Sequence, residues 1–540
     1  MYSAAIRTSN PVAREAALAA VVAATLAATL AWLGPPGSDA AAHVYQSSLF
    51  DEKGFTLWNN FWYSGRYSFV TYSVLYYPLA ALLGIRLLAV ARVATAALAF
   101  TVLVARQWGP AARWSNRSFA VVWAGIMLSG AFPFALGAAL ALLALLALQA
   151  GARGRFALLA AATLAASPVA FALLAVLMLG SALAGRRTHA QLIVPGAIVA
   201  AIGLVELVLW RLFPGRGKFP FSGEELAAAS IFCLIGATLT WRVPAARVLR
   251  WIFVVYLAAC VAVYLVPSDV GENIARLRYA AIPISVLALS LRHWRPLLPC
   301  LVAFGLAISW NVAPLAASFT KGRSDPAAEA AYWAPTISFL RAHLTPDYRV
   351  EAVDTVGHWP AEYLPSAGIP IVRGWFRQDD FPQNGLLYEK PGGSAYVSWL
   401  RSLGVRYVVL PDAALDYSAK HEAALLSSGR SGLRIVYRSA NTTVFGVPSP
   451  TPLVTGPGRA TVVALGHARI AIDVPTRGRY RVAASWSPYW KTSRGCLQRA
   501  GDGMIWLTVE RPARVTLTVD VSARAALATL EGKQPRRCAA

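Results

Sequence analysis

Between residues 16 and 319 the chain repeats one pattern: an apolar run of roughly 20 residues, a short polar connection, then another apolar run. In lipid such a run satisfies its backbone polar groups only as a helix, so the pattern describes a multi-span membrane protein and excludes a single soluble globule. The runs fall near 16–34, 68–84, 87–105, 118–132, 134–150, 155–166, 168–185, 191–213, 224–241, 248–267, 278–291 and 296–318. Arginines gather in every second connection from residue 106 onward, at Arg106/Arg113/Arg117, Arg153/Arg155, Arg186/Arg187, Arg242/Arg247/Arg250 and Arg292/Arg295. Positive charge marks the cytoplasmic side. That places the N-terminus inside, and Ser129–Gly137, Ser167–Pro168, Pro214–Glu225, Pro267–Arg278 and the C-terminal region outside. An inside N-terminus and an outside C-terminus need an odd number of crossings, against twelve runs, so the expectation is 11–13 spans, with the discrepancy assigned to 68–105. Ala16–Leu33 follows Arg7 and Arg14 and precedes many further spans, which reads as a signal anchor rather than a cleaved leader.

Charge content agrees. Only 14% of residues are charged, against about 25% in soluble proteins. The net charge of +24 divides into +14 for residues 1–319 and +10 for 320–540. In the first part the cations sit mainly between apolar runs, and no compact basic motif of a nucleic-acid reader occurs, so nucleic acid is not an expected partner. Arginine outnumbers lysine 43 to 7; with the Ala-rich spans this suggests a GC-rich bacterial genome and hence a bacterial plasma membrane.

After residue 320 the pattern changes. From 320 to 448, helical runs such as Ala327–His343 and Ala395–Leu403 alternate with strand-like runs at Arg349–Val353, Val405–Leu410, Leu433–Tyr437 and Thr443–Val447, which predicts an α/β module. From 449 to 540 a period of two dominates, at Ala468–Val474, Tyr480–Trp486, Met504–Val509 and Val515–Val521, which predicts a β-sandwich. Cys233, Cys260 and Cys300 lie in apolar runs and read as small core residues, whereas Cys496 and Cys538 fall in the tail, where an oxidising compartment would allow them to pair. No Cys/His cluster suggests zinc, and no G-x-S-x-G, P-loop or dinucleotide fingerprint is present.

The first outer connection, about 35–77, is the most unusual segment. It carries 12 aromatic residues, among them Trp58, which suits interfacial helices at the headgroups. It also holds Asp39, Asp51 and Glu52, three of the nine acids before residue 320. Asp39 and His43 are four apart, on one face if the segment is helical, with Gln46 extending that face. A carboxylate there can deprotonate a sugar hydroxyl while aromatic rings hold the sugar; alternatively, Ser38 or Asp39 simply caps a helix. Arg276 and Arg278, followed by Tyr279, stand at the outer start of a span and can pair a phosphate bidentately or anchor the helix by snorkelling. Glu206 lies inside a span, and Arg211 is near enough in sequence to serve as its partner. In the tail, His358, Trp359, Arg373, Trp375, Trp486, Tyr489 and Trp490 form polar-aromatic clusters that suit either a glycan or ordinary packing.

Several short motifs occur in order: Asp39-Ala-Ala-Ala-His43, Trp58…Gly65, Tyr72…Tyr77-Pro78-Leu79, Ser129-Gly-Ala-Phe-Pro-Phe-Ala-Leu-Gly137, Ser167-Pro168 and Arg276-Leu-Arg278-Tyr279. This order resembles the GT-C superfamily of polytopic glycosyltransferases, in particular the bacterial branch labelled 6-pyruvoyl-tetrahydropterin-synthase-related membrane proteins, over about residues 1–320. The resemblance implies a GT-C-like transmembrane domain over 1–319. It implies a polyprenyl-phosphate-linked sugar as donor, a glycan, lipid or protein acceptor of the cell envelope, and inversion at the anomeric carbon. Asp39 matches the family's base, and Arg278 its phosphate-binding arginine, with Arg276 second. His43, Trp58 and Tyr279 fall among the substrate-binding positions. Asp51 and Glu52 match a second acid or a ligand of a divalent cation; no DxD occurs in the 129–137 loop, which argues against a metal and against close kinship with oligosaccharyltransferases. Two rival readings remain: a non-catalytic GT-C-like scaffold that binds a lipid-linked glycan or a partner protein, and a transporter, for which only Glu206 offers a midplane polar group.

Overall fold

The computed structural model describes residues 3–185, 189–215, 217–532 and 538. The chain divides into two compact units. One comprises Met1–Ala40, Tyr72–Leu207 and Lys218–Arg323; the other comprises Ala41–Thr71, Val208–Gly217 and Ser324–Ala540.

The first unit is helical. Eight helical segments among the described residues are long and apolar enough to cross a membrane, making this a multi-pass membrane protein. They are Pro11–Leu33, Ile85–Ser129, Phe132–Gln149, Ile193–Leu212, Gly223–Thr240, Pro244–Leu265, Gly271–Leu291 and Leu297–Arg323. Two shorter helices, Arg153–Ala166 and Pro168–Leu183, account for further runs among the 11–13 expected. The apolar stretch Ile85–Ser129 is not one rod: it breaks at Gly109–Ala112, and Arg113–Val122 folds back onto Ile85–Trp108. Helix starts follow local chemistry. Ser167 accepts a hydrogen bond from the Ala170 amide, with Pro168 at the first helical position; Ser222 caps Gly223–Thr240 in the same way, with Glu224 and Glu225 in the first turn. Small residues let helices approach closely. A Cβ on Gly180 would lie 2.9 Å from the Ile252 Cα, and one on Gly137 would lie 2.7 Å from the Ala170 Cβ. Glu206 is half-buried and forms no ion pair among the described residues. The expected Arg211 partner stands five positions on, and residues five apart on a helix do not share a face.

The second unit contains the sheets. A two-stranded hairpin, β1 (Trp58–Asn59) and β2 (Arg66–Tyr67), lies in the 41–71 segment. A four-stranded sheet follows from β3 (Arg349–Ala352), β4 (Val405–Pro411), β5 (Arg434–Arg438) and β6 (Thr442–Gly446), ordered β3-β4-β6-β5. Its β3–β4 pair is parallel and the rest antiparallel. Helices Ala330–His343 and Gly393–Ser402 belong to this α/β module. The sandwich is built from β7 (Val454–Thr455), β8 (Thr461–Gly466), β9 (Arg469–Val474), β10 (Gly478–Ser485), β11 (Trp490–Thr492), β12 (Cys496–Arg499), β13 (Met504–Val509) and β14 (Ala513–Val519). Its sheets are ordered β12-β13-β10-β7 and β11-β14-β9-β8. Inward side chains such as Ile470, Ile472, Val482, Leu507, Val515 and Leu517 form its core. Cys496 and Cys538 are disulfide-bonded, and Cys233, Cys260 and Cys300 are buried and free.

The aromatic segment departs from the sequence expectation. Most rings of residues 41–71 are buried in the interior of the second unit, with Phe55 exposed. Trp58 and Tyr67 join the sandwich core, the Trp62 indole donates to the Ala361 carbonyl at 2.9 Å, and the Tyr63 hydroxyl donates to the Phe376 carbonyl at 2.7 Å. Large rings with one polar atom gain most from burial when that atom finds a backbone acceptor, and this unit supplies several.

Candidate functional site

Asp39 lies in a turn before helix Ala40–Lys53. Its position is set by a close crossing of two chain segments. The Ser38 amide donates to the Leu128 carbonyl at 3.1 Å, and the Asp39 amide to the Ser129 carbonyl at 3.2 Å. A Cβ on Gly37 would stand 2.6 Å from Gly130 Cα, and a Cβ on Gly130 would stand 2.6 Å from the Asp39 nitrogen; Gly130 also has φ +70°. Backbone approach this close needs glycine on both sides. Arg92, itself buried, secures the same turn: it donates to the Phe132 carbonyl at 3.0 Å, and its guanidinium lies 4.4 Å from the Phe132 ring centroid. The Ser38 hydroxyl donates to Ser318 at 3.0 Å.

The groups around Asp39 come from distant parts of the chain. Burial pushes the Tyr72 phenol above its ordinary value, and that phenol feels the positive charge of Arg276 and the negative charge of Asp39, with Tyr279 alongside. Asp39, Tyr72, Arg276 and Tyr279 thus share one electrostatic neighbourhood. Arg276 also lies over the Phe134 ring, 5.3 Å from its centroid.

Arg276 lines a cavity of about 480 Å³ inside the helical unit. Phe100, Phe119, Trp123, Leu174 and Phe253 are among its apolar walls, and Arg276 is the single charged side chain in the lining among the described residues. The cavity runs along helix Phe132–Gln149 from Phe134 to Gln149, roughly 22 Å at 1.5 Å per residue. That is most of the hydrocarbon thickness of a bilayer.

The two arginines of the 276–278 motif have different surroundings. Arg278 pairs with Glu225 at 3.2 Å and Glu272 at 3.8 Å, and Glu225 also accepts from the Trp310 indole at 2.9 Å. Two carboxylates therefore already neutralise Arg278, whereas Arg276 faces the cavity. From sequence the order of preference was the reverse.

Other sequence-predicted residues are placed elsewhere. His43 is buried against Trp375 in the second unit, with ring centroids 5.8 Å apart. Asp39 immediately precedes the helix that carries His43. Asp51 and Glu52 are exposed at the end of that helix, and among the described residues they join no group of three metal-ligating side chains. Trp58 is buried in β1 and its indole donates to Asn60 at 2.8 Å.

In the tail, Trp359 packs on Tyr363, the Tyr489 hydroxyl donates to the Leu212 carbonyl at 3.1 Å, and the Trp490 indole donates to the Ser485 carbonyl at 2.9 Å; all three rings are buried. Trp486 remains half-buried and open to a pocket. Arg373 makes a bidentate pair with Asp380, at 3.2 and 2.9 Å, and also donates to Ser418 at 2.9 Å. His358, with φ +58°, meets Asp354 at 2.7 Å, and Arg377 pairs with Asp354 at 2.9 Å and Asp416 at 2.8 Å. Burial alone would raise the Asp354 carboxyl; His358 and Arg377 outweigh it and hold the group well below the usual carboxylate range. Sequence reasoning singled out His358 and Arg373 but not Asp354 and Asp416 of this buried network, which lie on separate loops with spacings that form no motif.

Nearby carboxyls shift the other way. Burial pushes Glu362 up to about 7, and its Oε2 has no hydrogen-bond partner among the described residues. Its folded state therefore holds the proton more tightly than the unfolded chain, whose ordinary value is 4.5. That contribution to stability is present below pH 4.5 and is lost as pH rises through about 7. Glu362→Gln is expected to raise the melting temperature at pH 8 relative to the parent and to change it little at pH 4.5. Differential scanning fluorimetry across that range reads the difference; equal shifts at both ends would contradict the assignment.

No protein-family model matches the chain, and no curated protein matches it. Among solved structures, a cryo-EM structure of the mycobacterial arabinofuranosyltransferase AftD aligns with TM-score 0.45 and 17% identity, over 88% of this chain and 42% of that one. Two classes of a single-residue AftD mutant align with TM-score 0.45, at 14% and 16% identity, each over 95% of this chain and 60% of the other. The chain therefore spans less than two thirds of the length of these neighbours.

Proposed function

We propose that the protein is an integral membrane glycosyltransferase of the GT-C type, which takes a sugar from a polyprenyl-phosphate carrier and passes it to a cell-envelope acceptor on the outer face. The observation that carries this reading is the convergence of Asp39, Tyr72 and Arg276 with a long apolar cavity whose lining holds one charge, Arg276. An isoprenoid chain fits such a slot, and its phosphate would end at the guanidinium. The acceptor hydroxyl oxygen attacks the anomeric carbon, Asp39 takes the hydroxyl proton, and the sugar–phosphate C–O bond breaks with inversion. Polyprenyl phosphate leaves with its new negative charge beside Arg276. The Cys496–Cys538 disulfide agrees with an extracytoplasmic tail, since such bonds persist in oxidising compartments. The alternating arginines favour the same orientation.

The test uses the full chain in nanodiscs. Purified protein should retain or take up a polyprenyl phosphate, detected by native mass spectrometry and by quenching of Trp123 and Trp108 fluorescence in the cavity wall. Polyprenol, which lacks the phosphate, should bind more weakly. Equal binding of both lipids, or of neither, would remove the support for a lipid-phosphate donor.

A further inference from the structure

A second pocket lies wholly within the β-rich unit. Its volume is about 620 Å³, in the range of sites that enclose a small ligand. Trp58 and Tyr67 are set edge to face, centroids 5.1 Å apart, with Trp486 also in the lining. Arg66 and Asp379 are joined at 2.5 Å, and Arg66 also donates to Thr71 at 3.1 Å. Gln383 contributes a buried Oε1 that has no hydrogen-bond partner among the described residues. Its backbone is held by the Trp399 indole, which donates to the Gln383 carbonyl at 2.8 Å.

We propose that this pocket binds a short segment of a neutral glycan without catalysing its transfer. The argument is chemical. An apolar ligand would leave the buried Gln383 Oε1 without a partner. The lining also carries Arg211 and Arg499, but both are exposed, while the buried charges, Arg66 and Asp379, neutralise each other, so the interior of the pocket offers a polyanion no unopposed cation. A polyhydroxylated ring avoids both penalties. Its C–H face covers aromatic surface, while its hydroxyls donate to Gln383 Oε1 and Asp379 and accept from Arg66. The orphaned Gln383 oxygen is the group that most calls for a ligand, because buried acceptors in folded proteins are almost always paired. The lining includes neither Asp39 nor Arg276, and the proposal does not depend on the transferase reading.

The experiment titrates full-length protein in nanodiscs with three neutral hexasaccharides, built from arabinofuranose, galactofuranose and mannopyranose, and with a heparin-derived hexasaccharide. Saturation-transfer NMR and tryptophan fluorescence supply the readout. At least one neutral probe is expected to bind saturably and more tightly than the sulfated one. Trp486→Ala should weaken that binding by about tenfold, the scale of one aromatic contact. Gly501→Trp blocks the pocket from its edge: a Cβ at Gly501 meets nothing within 4 Å, so the substitution is compatible with folding. Asp39→Asn should leave glycan binding in place. Loss of binding in either pocket variant, with an unchanged melting temperature, supports the site. Absence of binding by all neutral probes, tighter binding of the sulfated one, or undiminished binding in both pocket variants would overturn it.

Discussion

Asp39→Asn is expected to lower sugar transfer by about 10²- to 10⁴-fold while leaving donor-lipid binding intact. The amide keeps the shape of the carboxylate but cannot take a proton. The fold should tolerate it, because residue 39 is positioned through backbone hydrogen bonds from Ser38 and Asp39 to Leu128 and Ser129 and through the Gly37–Gly130 crossing. The loss should therefore appear in kcat with little change in KM for the donor, which distinguishes a base from a binding residue. Transfer assays in nanodiscs with radiolabelled polyprenyl-phosphate sugars would check this. Full transfer by the variant would sink Asp39 as the base. Lipid binding without transfer in the parent protein as well would favour a non-catalytic scaffold.

Arg276→Gln should separate the two arginines of the 276–278 motif. Because Arg276 carries the only charge in the cavity lining among the described residues, its loss should reduce transfer by about 10²- to 10³-fold and erase the preference for polyprenyl phosphate over polyprenol. Arg278→Gln should act differently. It leaves Glu225 and Glu272, partly exposed at the starts of two helices, without their counter-ion, so the main effect is expected on stability, of about 1 kcal/mol, with lipid preference retained. Thermal melts and the paired-lipid binding assay together read both outcomes. The assignment fails if Arg278→Gln abolishes phosphate preference and Arg276→Gln does not. A swap in that direction would restore the order that the motif alone suggested.

Much of the fold was legible because its signals are periodic. The strands at Arg349–Ala352 and Val405–Pro411 fall on the strand-like runs, and those at Arg469–Val474, Gly478–Ser485 and Met504–Val509 on the alternating ones, within a residue or two at each end. The helices Ala330–His343 and Gly393–Ser402 fall on the expected helical runs. Number of spans was less legible. Hydropathy measures apolar length, yet the stretch Ile85–Ser129 turns back at Gly109–Ala112, and Arg153–Ala166 has only 14 residues. The burial of the aromatic segment was less legible for a related reason. Aromatic content suits a headgroup surface and a packed core equally well, and only long-range partners such as Ala361, Phe376 and Trp490 distinguish them.

The sequence by itself determined the solvent of each part of the chain. Apolar run length, arginine placement and strand alternation are local properties, and each acts through the hydrophobic effect on a single element. It also made Asp39 and the 276–278 motif conspicuous, because acids are scarce in the apolar part. Only the tertiary structure decided which arginine meets the cavity, that Tyr72 feels the charges of both Arg276 and Asp39, and that Glu225 and Glu272 have taken Arg278. Electrostatic strength falls with distance and rises as water is excluded. Distance and exclusion both arise from how far-separated residues are packed, and no spacing along the chain encodes either of them.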